Sequence, residues 1–272
     1  MSKTVLITGA STGIGRETAK YFQEKGWNVS ATMRSPENEK ELIKLPNVIC
    51  PKLDVTDEKS IALAIENTVD KFGNIDVVVN NAGYSLTGIF EAATIEQIQH
   101  QYDVNVFGVM NVVRSILPHF RKNKSGTIIN VSSMVGKITV PLYSLYDSSK
   151  WAVSGFSEAL QYELRTLNIK VKIIEPGAVV TDFYNRSMDH TKNEKLTEYN
   201  KYISKIYAAN DKFASRGNRP NKTAKVIYKA ATSNNWKLYY PSGGDAKVFL
   251  TLRKLLPVSW FNGALRMVFK KI

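Results

Sequence analysis

Apolar and polar positions along the chain alternate between two rhythms. Val5-Leu6-Ile7 is a short apolar run that ends in a glycine loop, Gly9 to Gly15. The spacing then predicts a helix over 14–25, with Ala19 and Phe22 on its face and Gly26 as its stop. Residues 29–32 and 48–53 read as further strands, the latter edge-like because Pro51 lacks an N–H. Thr56-Asp57-Glu58 caps a helix whose Ile61, Ala64, Ile65 and Val69 recur at helical spacing, and Gly73 ends it. Residues 75–79 form a nearly continuous apolar run, as expected of a strand buried on both faces of a parallel sheet. Helices are predicted over 95–120, 147–167 and 223–231, and strands over 127–131, 171–174 and 236–240. Strands alternating with helices in this way imply crossover units. The predicted fold is α/β: one Rossmann-like domain over 1–272, a doubly wound parallel sheet in a three-layer α/β/α arrangement.

Two stretches depart from the rhythm. Residues 182–221 are polar and aromatic (Phe183, Tyr184, Tyr199, Tyr202, Tyr207, Phe213) and read as an insertion forming a substrate lid. Its aromatics fit an apolar or lipid-like substrate, or simply pack the lid on the sheet. Residues 245–272 carry Lys247, Arg253, Lys254, Arg266, Lys270 and Lys271 against one acid, Asp245. Val248, Leu252, Leu255 and Leu256, and after Pro257 the residues Trp260, Ala264, Leu265, Val268 and Phe269, follow helical spacing. A basic amphipathic segment of this kind makes peripheral contact with an anionic membrane, caps the pocket or enters another subunit; packing within the protein or oligomer is the favoured expectation.

Composition narrows the classes. Over 272 residues, 43% are hydrophobic and 22% charged, so the chain is globular rather than disordered. The formal charge of +13 raises the question of nucleic acid, but no recognition motif is present and no nucleic-acid partner is expected. One cysteine, Cys50, forbids an internal disulfide framework. His100, His119 and His190 are far apart, and no metal site is expected. Neither a signal peptide nor an apolar run of membrane-spanning length is seen, and a cytoplasmic location is expected.

The glycine loop carries the first chemistry. Glycines between a strand and a helix let the backbone approach a pyrophosphate, while the helix N-terminus offers free N–H groups to the anion. Where the second strand ends, Ala31-Thr32-Met33-Arg34 supplies no carboxylate for ribose hydroxyls. Arg34 instead suits a 2′-phosphate, so NADP(H) is expected over NAD(H).

Several motifs occur together in one order: Thr8-Gly9-x-x-x-Gly13-x-Gly15, Asp54-Val55, Asn80-Asn81-Ala82-Gly83, Asn105, Ser133, Tyr146-x-x-x-Lys150 and Pro176-Gly177-Ala178-Val179-Val180-Thr181. The chain in this respect resembles the short-chain dehydrogenase/reductase family of the single-domain type. The resemblance implies a catalytic set of Asn105, Ser133, Tyr146 and Lys150. It implies cofactor contacts from Gly9, Ser11, Thr12, Gly13, Ile14, Gly15, Arg34, Asp54 (to adenine), Val55, Asn81, Ala82, Gly83, Tyr146, Lys150, Pro176, Gly177, Val179 and Thr181. Thr12 departs from the Arg or Lys of many NADP-preferring members, which leaves the cofactor reading on Arg34.

Tyr146 and Lys150 stand four apart at a helix start and share one face. A free tyrosine titrates near about 10, and a neighbouring ammonium favours its anion. Such a tyrosine exchanges a proton with a carbonyl or alcohol oxygen. Ser133 at a strand end polarises that oxygen; its neighbour Ser132 is the rival, and Ser133 matches the family because Met134-Val135-Gly136 follows it. Asn105, by the resemblance, anchors a water that relays protons to Lys150. The expected activity is NADP(H)-dependent interconversion of a ketone or aldehyde and an alcohol on a small-molecule substrate. A non-enzymatic NADP(H) sensor on the same fold is the alternative. A homodimer or homotetramer is implied by the resemblance.

Overall fold

Both faces of the first apolar run are buried, because β1 (Thr4–Ile7) lies in the middle of a parallel sheet. The computed structural model describes residues 2–181 and 187–270, apart from the side chains of 268–270. Flanking β1 are β2 (Asn28–Ala31), β3 (Val48–Ile49), β4 (Val77–Asn80), β6 (Gly126–Val131), β7 (Ile169–Pro176) and β9 (Tyr239–Ser242), in the order β3-β2-β1-β4-β6-β7-β9. The order reverses between β1 and β4, which opens a crevice at the carboxyl ends of both strands.

Successive residues of a strand point to opposite faces. Val5 and Ile7 join a core with Phe22, Trp27 and Ile227, under α1 (Gly13–Glu24) and α7 (Pro220–Thr232). Leu6 joins the opposite core with Ile61, Val112, Ile116, Phe120 and Leu160, under α2 (Glu58–Phe72), α4 (Gly108–Asn123) and α5 (Ser144–Arg165). The three-layer expectation is met. Helix α2 begins where Asp57 accepts the Lys59 N–H and stops at Gly73, whose φ of +79° few other residues adopt.

Several expected boundaries shift. The third strand pairs only at Val48–Ile49, since Pro51 cannot donate; a single bridge between Met33 and Lys52 continues the edge. The helix expected over 95–120 is two helices, α3 (Ile95–Tyr102) and α4, joined by a wider π turn at Asp103–Phe107. Gly108 follows that turn, and a Cβ there would sit 2.6 Å from a Val55 methyl, so the close approach excludes larger residues. The last strand begins at Tyr239 rather than Trp236, whose ring lies 4.8 Å from the Arg165 guanidinium and 5.5 Å from the Lys170 ammonium.

The lid has structure of its own. Residues 182–186, with Phe183 and Tyr184, lie outside the described residues. Beyond them β8 (Met188–His190) pairs in parallel with β5 (Ser85–Thr87), and α6 (Asn200–Ala214) follows. Neither short strand is legible in the sequence, since each exists only as the other's partner. Pro220 and Asn221, assigned to the lid, open α7.

The C-terminal segment folds into α8 (Gly244–Leu255) and α9 (Val258–Lys270), broken at Pro257. Ala246, Phe249, Leu250, Leu256, Phe261 and Leu265 pack on Met134, Val135 and Ile138. The expected apolar face is therefore only partly the packed one: Val248, Leu252, Leu255 and Trp260 turn outward.

One lysine is buried within the sheet. Lys172 in β7 donates to the Ala230 and Ser233 carbonyls, at 2.6 and 2.7 Å, where α7 ends. It satisfies carbonyls left without helical partners, at the end where a cation is favoured. Lys172→Ala should lower the unfolding free energy by about 3 kcal/mol, from lost charged hydrogen bonds and lost packing, as read by urea melts.

Candidate active site

The crevice at the strand ends is a cleft of about 550 Å³. Its floor is a knot of two loops. The Thr8 Oγ1 accepts the N–H groups of Asn81 and Ala82, each at 3.0 Å. Asn81 Nδ2 donates to the carbonyls of Thr8 and Gly9, also at 3.0 Å. Gly9 (φ +66°) lies so near that a Cβ would stand 2.9 Å from Ala82 Cα. Ser11, Thr12, Gly13 and Ile14 line the cleft at the start of α1, where no side chain caps the helix and no acid lies in the first turn. That cradle fits a pyrophosphate. Gly15, expected among the cofactor contacts, is placed behind it: a Cβ would lie 2.3 Å from the Gly9 carbonyl oxygen, so Gly15 permits close packing rather than touching the cleft.

The other cofactor candidates lie along the same cleft. Asp54 and Val55 form one end, Ala82 and Gly83 the floor, and Pro176, Gly177, Val179 and Thr181 the far wall. Thr181 reaches within 3.4 Å of where a Gly13 Cβ would be, so the β7 loop closes over the glycine loop. Arg34 is exposed at the mouth and also borders a side hollow with Ser11, Ser35, Asn38 and Lys40. Two carboxylates in that hollow, Glu39 and Glu41, are engaged by Arg16 at 2.6 and 2.8 Å. Though burial opposes it, the Arg16 guanidinium and the N–H groups of Leu42 and Glu41 bring the Glu39 carboxyl down to about 2. Arg34 and Lys40 thus face a hollow whose acids are already paired, which suits a phosphate.

At the middle of the cleft stand Ser133, Tyr146 and Lys150. Lys150 is buried, and its Nζ donates to the Val131 carbonyl at 3.1 Å. Burial lowers its ammonium to about 8. The same Nζ is 5.7 Å from the centroid of the half-buried Tyr146 ring. The two serines divide. Ser132 is buried and bonds Ser154 Oγ and the Lys150 carbonyl, which locks β6 to α5. Ser133 Oγ donates to the Pro176 carbonyl at a long 3.4 Å and accepts the Val135 N–H at 3.3 Å, weak bonds at the cleft wall.

Asn105 does not line the cleft. It sits in the π turn, buried, with Oδ1 accepting the Tyr84 N–H and Nδ2 donating to the Tyr84 carbonyl and to Ser149 Oγ. Both amide protons are committed, and the side chain ties the π turn to the loop after β4 and to α5.

Two aspartates were missed from the sequence. Asp147, inside the Tyr146-x-x-x-Lys150 motif, is buried and accepts the Val140 N–H at 2.8 Å, tying the 137–143 loop to α5. Its Oδ1 is buried without a hydrogen-bond partner among the described residues. Desolvation pushes its carboxyl up to about 8 against the opposing Val140 bond. Asp245 accepts the Ala178 N–H at 2.7 Å and faces Asn218, fixing the loop after β7. An acid within an otherwise basic segment was the one available signal.

The substrate end is walled by Met134, Val135, Val140, Tyr143, Met188 and Phe213. Of the lid aromatics among the described residues, only Phe213 lines it; Tyr199 bonds Glu91, and Tyr207 bonds His190 and Thr87. Among the described residues no cluster of His, Cys, Asp and Glu could hold a metal. Burial raises the Cys50 thiol to about 11, far from a reactive thiolate.

Comparison with known proteins agrees with this geometry. The family model for short chain dehydrogenase matches residues 3–192. The chain is 41% identical over 221 residues to an uncharacterized oxidoreductase of Schizosaccharomyces pombe, covering 81% of this chain and 92% of that protein. It is 33% identical over 270 residues to 3-ketodihydrosphingosine reductase of Bacteroides thetaiotaomicron, covering 97% of each. Among solved structures it is similar to ElxO with NADP bound, with a TM-score of 0.76 and 30% identity over 91% of this chain and 100% of that one.

The Asp147 carboxyl has a testable consequence. Unfolded, it titrates at its ordinary 3.8; folded, at about 8. Between those values the native state holds one proton more than the unfolded chain, so this group's contribution to stability falls as pH rises from about 4 to about 8. Urea melts at pH 5.5 and 8.5 should show less stability at the higher pH, and Asp147→Asn should shrink that difference.

Proposed function

The chain belongs to the short-chain dehydrogenase family, and on that premise we propose that it is an NADP(H)-dependent oxidoreductase interconverting a ketone or aldehyde with an alcohol on an apolar, lipid-like substrate. The observation that carries the reading is one continuous cleft. It holds a glycine cradle at one end, Ser133, Tyr146 and Lys150 in the middle and an apolar wall at the other end. The choice of cofactor is supported by Arg34 beside the side hollow, by the absence of a carboxylate at the end of β2, and by the NADP bound to ElxO. The substrate class is supported by the wall of Met134, Val135, Val140 and Phe213 and by the reductase of B. thetaiotaomicron named for a ketodihydrosphingosine.

NADPH held by the glycine cradle and Arg34 would supply the hydride for the carbonyl carbon in reduction, and NADP⁺ would accept it in oxidation. Tyr146 gives its phenolic proton to the carbonyl oxygen in reduction and takes it from the alcohol in oxidation. The Lys150 ammonium, charged below about pH 8, stabilises the phenolate left behind. Ser133 keeps its hydroxyl at the wall through weak bonds and donates to the oxygen on which charge develops. Asn105 and Asp147 act through others, one holding the turn before Lys150 and the other the loop beside the substrate end. The reading includes a homo-oligomer joined across α4 and α5, supported by the exposed Trp151 and Tyr162 on α5.

Two outcomes test it. Tyr146→Phe should cut NADPH oxidation with a panel of apolar ketones by at least about a thousandfold, near the upper range for a general acid. NADPH binding, followed by fluorescence, should persist; unchanged turnover would remove the mechanism. Arg34→Ala should raise the Kd for NADPH by roughly 10- to 100-fold, the worth of a charged hydrogen bond, and leave that for NADH within about twofold.

A further inference from the structure

The last two helices have a second apolar face. While Phe249, Phe261 and Leu265 cover the body beside the cleft, Val248, Leu252 and Leu255 form a stripe on the outside of α8. Trp260 and Met267, two turns apart, form another on α9, and Leu255, Trp260 and Met267 are 63–71% exposed. Charge on this segment has one sign. From 246 to 272 there is no Asp or Glu, and Lys247, Arg253, Lys254, Arg266, Lys270 and Lys271 are spread along it. The only acid of the segment, Asp245, is turned inward onto Ala178 and Asn218.

We propose that α8 and α9 lie on the surface of an anionic lipid bilayer and hold the substrate end of the cleft against it. The charge selects this occupant. A second copy meeting the same face would bring two segments that hold cations and no acid past Asp245 against each other, whereas anionic headgroups complement them while the acyl boundary takes up Leu255, Trp260 and Met267. No described helix is long and apolar enough to cross a membrane, so the contact is one of surface docking. The inward side of α8 reaches the cleft. Phe249 of α8 meets Phe213 edge-on at 6.3 Å, and Phe213, 40% exposed, lines the substrate end. Docking through these helices would hold the cleft close to a bilayer that carries an apolar carbonyl compound. The docking stands on the surface itself; its link to substrate delivery rests on the function proposed above.

The test uses the full-length protein with vesicles of phosphatidylcholine alone or with 30% phosphatidylglycerol (about this anionic fraction), read by co-sedimentation and by quenching of Trp fluorescence with brominated lipid. Binding should be at least about tenfold tighter to the anionic vesicles and should weaken as salt is raised. The double variant L255E/W260E should lose binding about tenfold or more, with its circular dichroism and its turnover of a water-soluble ketone unchanged. Recovery of the wild type in the supernatant with anionic vesicles would overturn the proposal. So would a dimer in sedimentation velocity that the variant dissolves without any difference in lipid binding, since the face would then be a subunit contact. Vesicle binding by a protein that turns over no lipid-like ketone would support the docking and refute the substrate reading.

Discussion

An ammonium removed from water is the constraint around which the site is arranged. Lys150 is buried at the cleft wall, and a buried charge costs several kcal/mol unless its surroundings answer it. The answer is local and specific: the Val131 carbonyl at the end of β6 and the ring of Tyr146 one turn away. Both work only if α5 is seated to within fractions of an ångström. Four ties seat it. Ser132 reaches Ser154 and the Lys150 carbonyl, Asn105 reaches Ser149, Asp147 takes the Val140 N–H, and Trp151 donates to the Ile138 carbonyl. The partly exposed phenol gains from this, because a cation in a low-dielectric setting acts on it more strongly than in water.

The cofactor half of the cleft follows a different logic. There the chain brings backbone N–H groups and small residues together, with little side-chain charge. The Thr8 and Asn81 bonds draw the loops after β1 and β4 together, and Gly9 and Gly15 remove the side chains that would hold them apart. Besides Asp54 at one end, charge enters at the rim, where Arg16 pairs with Glu39 and Glu41 and Arg34 stays exposed. The substrate end is bordered by Met134, Val135, Val140 and Tyr143 of the segment between β6 and α5, and by Met188 and Phe213 of the lid.

Two elements are added to this frame, the lid and the C-terminal helices. The lid is fastened through the β5–β8 pair, and α8 and α9 through the cluster around Phe261. In the lid, fastening takes up large side chains that the sequence offers to the substrate. Tyr199 and Tyr207 hold the lid down instead of facing substrate, and Phe213 is the lid aromatic, among the described residues, that reaches the cleft.

The alternation of strands and helices, the glycine loop and the Tyr146–Lys150 spacing are all legible from residues close together in the chain. Periodicity, turn chemistry and a four-residue helical repeat are local properties, so they announce themselves without a partner. Arg34 is readable for the same reason, from its place just after a strand. What remained hidden depends on contacts between distant residues. The π turn at Asp103–Phe107 exists because α4 must approach Val55 and Asn105 must reach Tyr84. Ser132 and Ser133 are neighbours with the same hydroxyl, and the positions of Ser154 and the Lys150 carbonyl decide which hydroxyl is tied to α5. Asp147 and Asp245 look like ordinary surface acids until the Val140 and Ala178 N–H groups arrive beside them. The outward face of α8 and α9 is likewise set by which of two apolar stripes fits the ground around Ile138, a matter of shape that helical spacing does not encode.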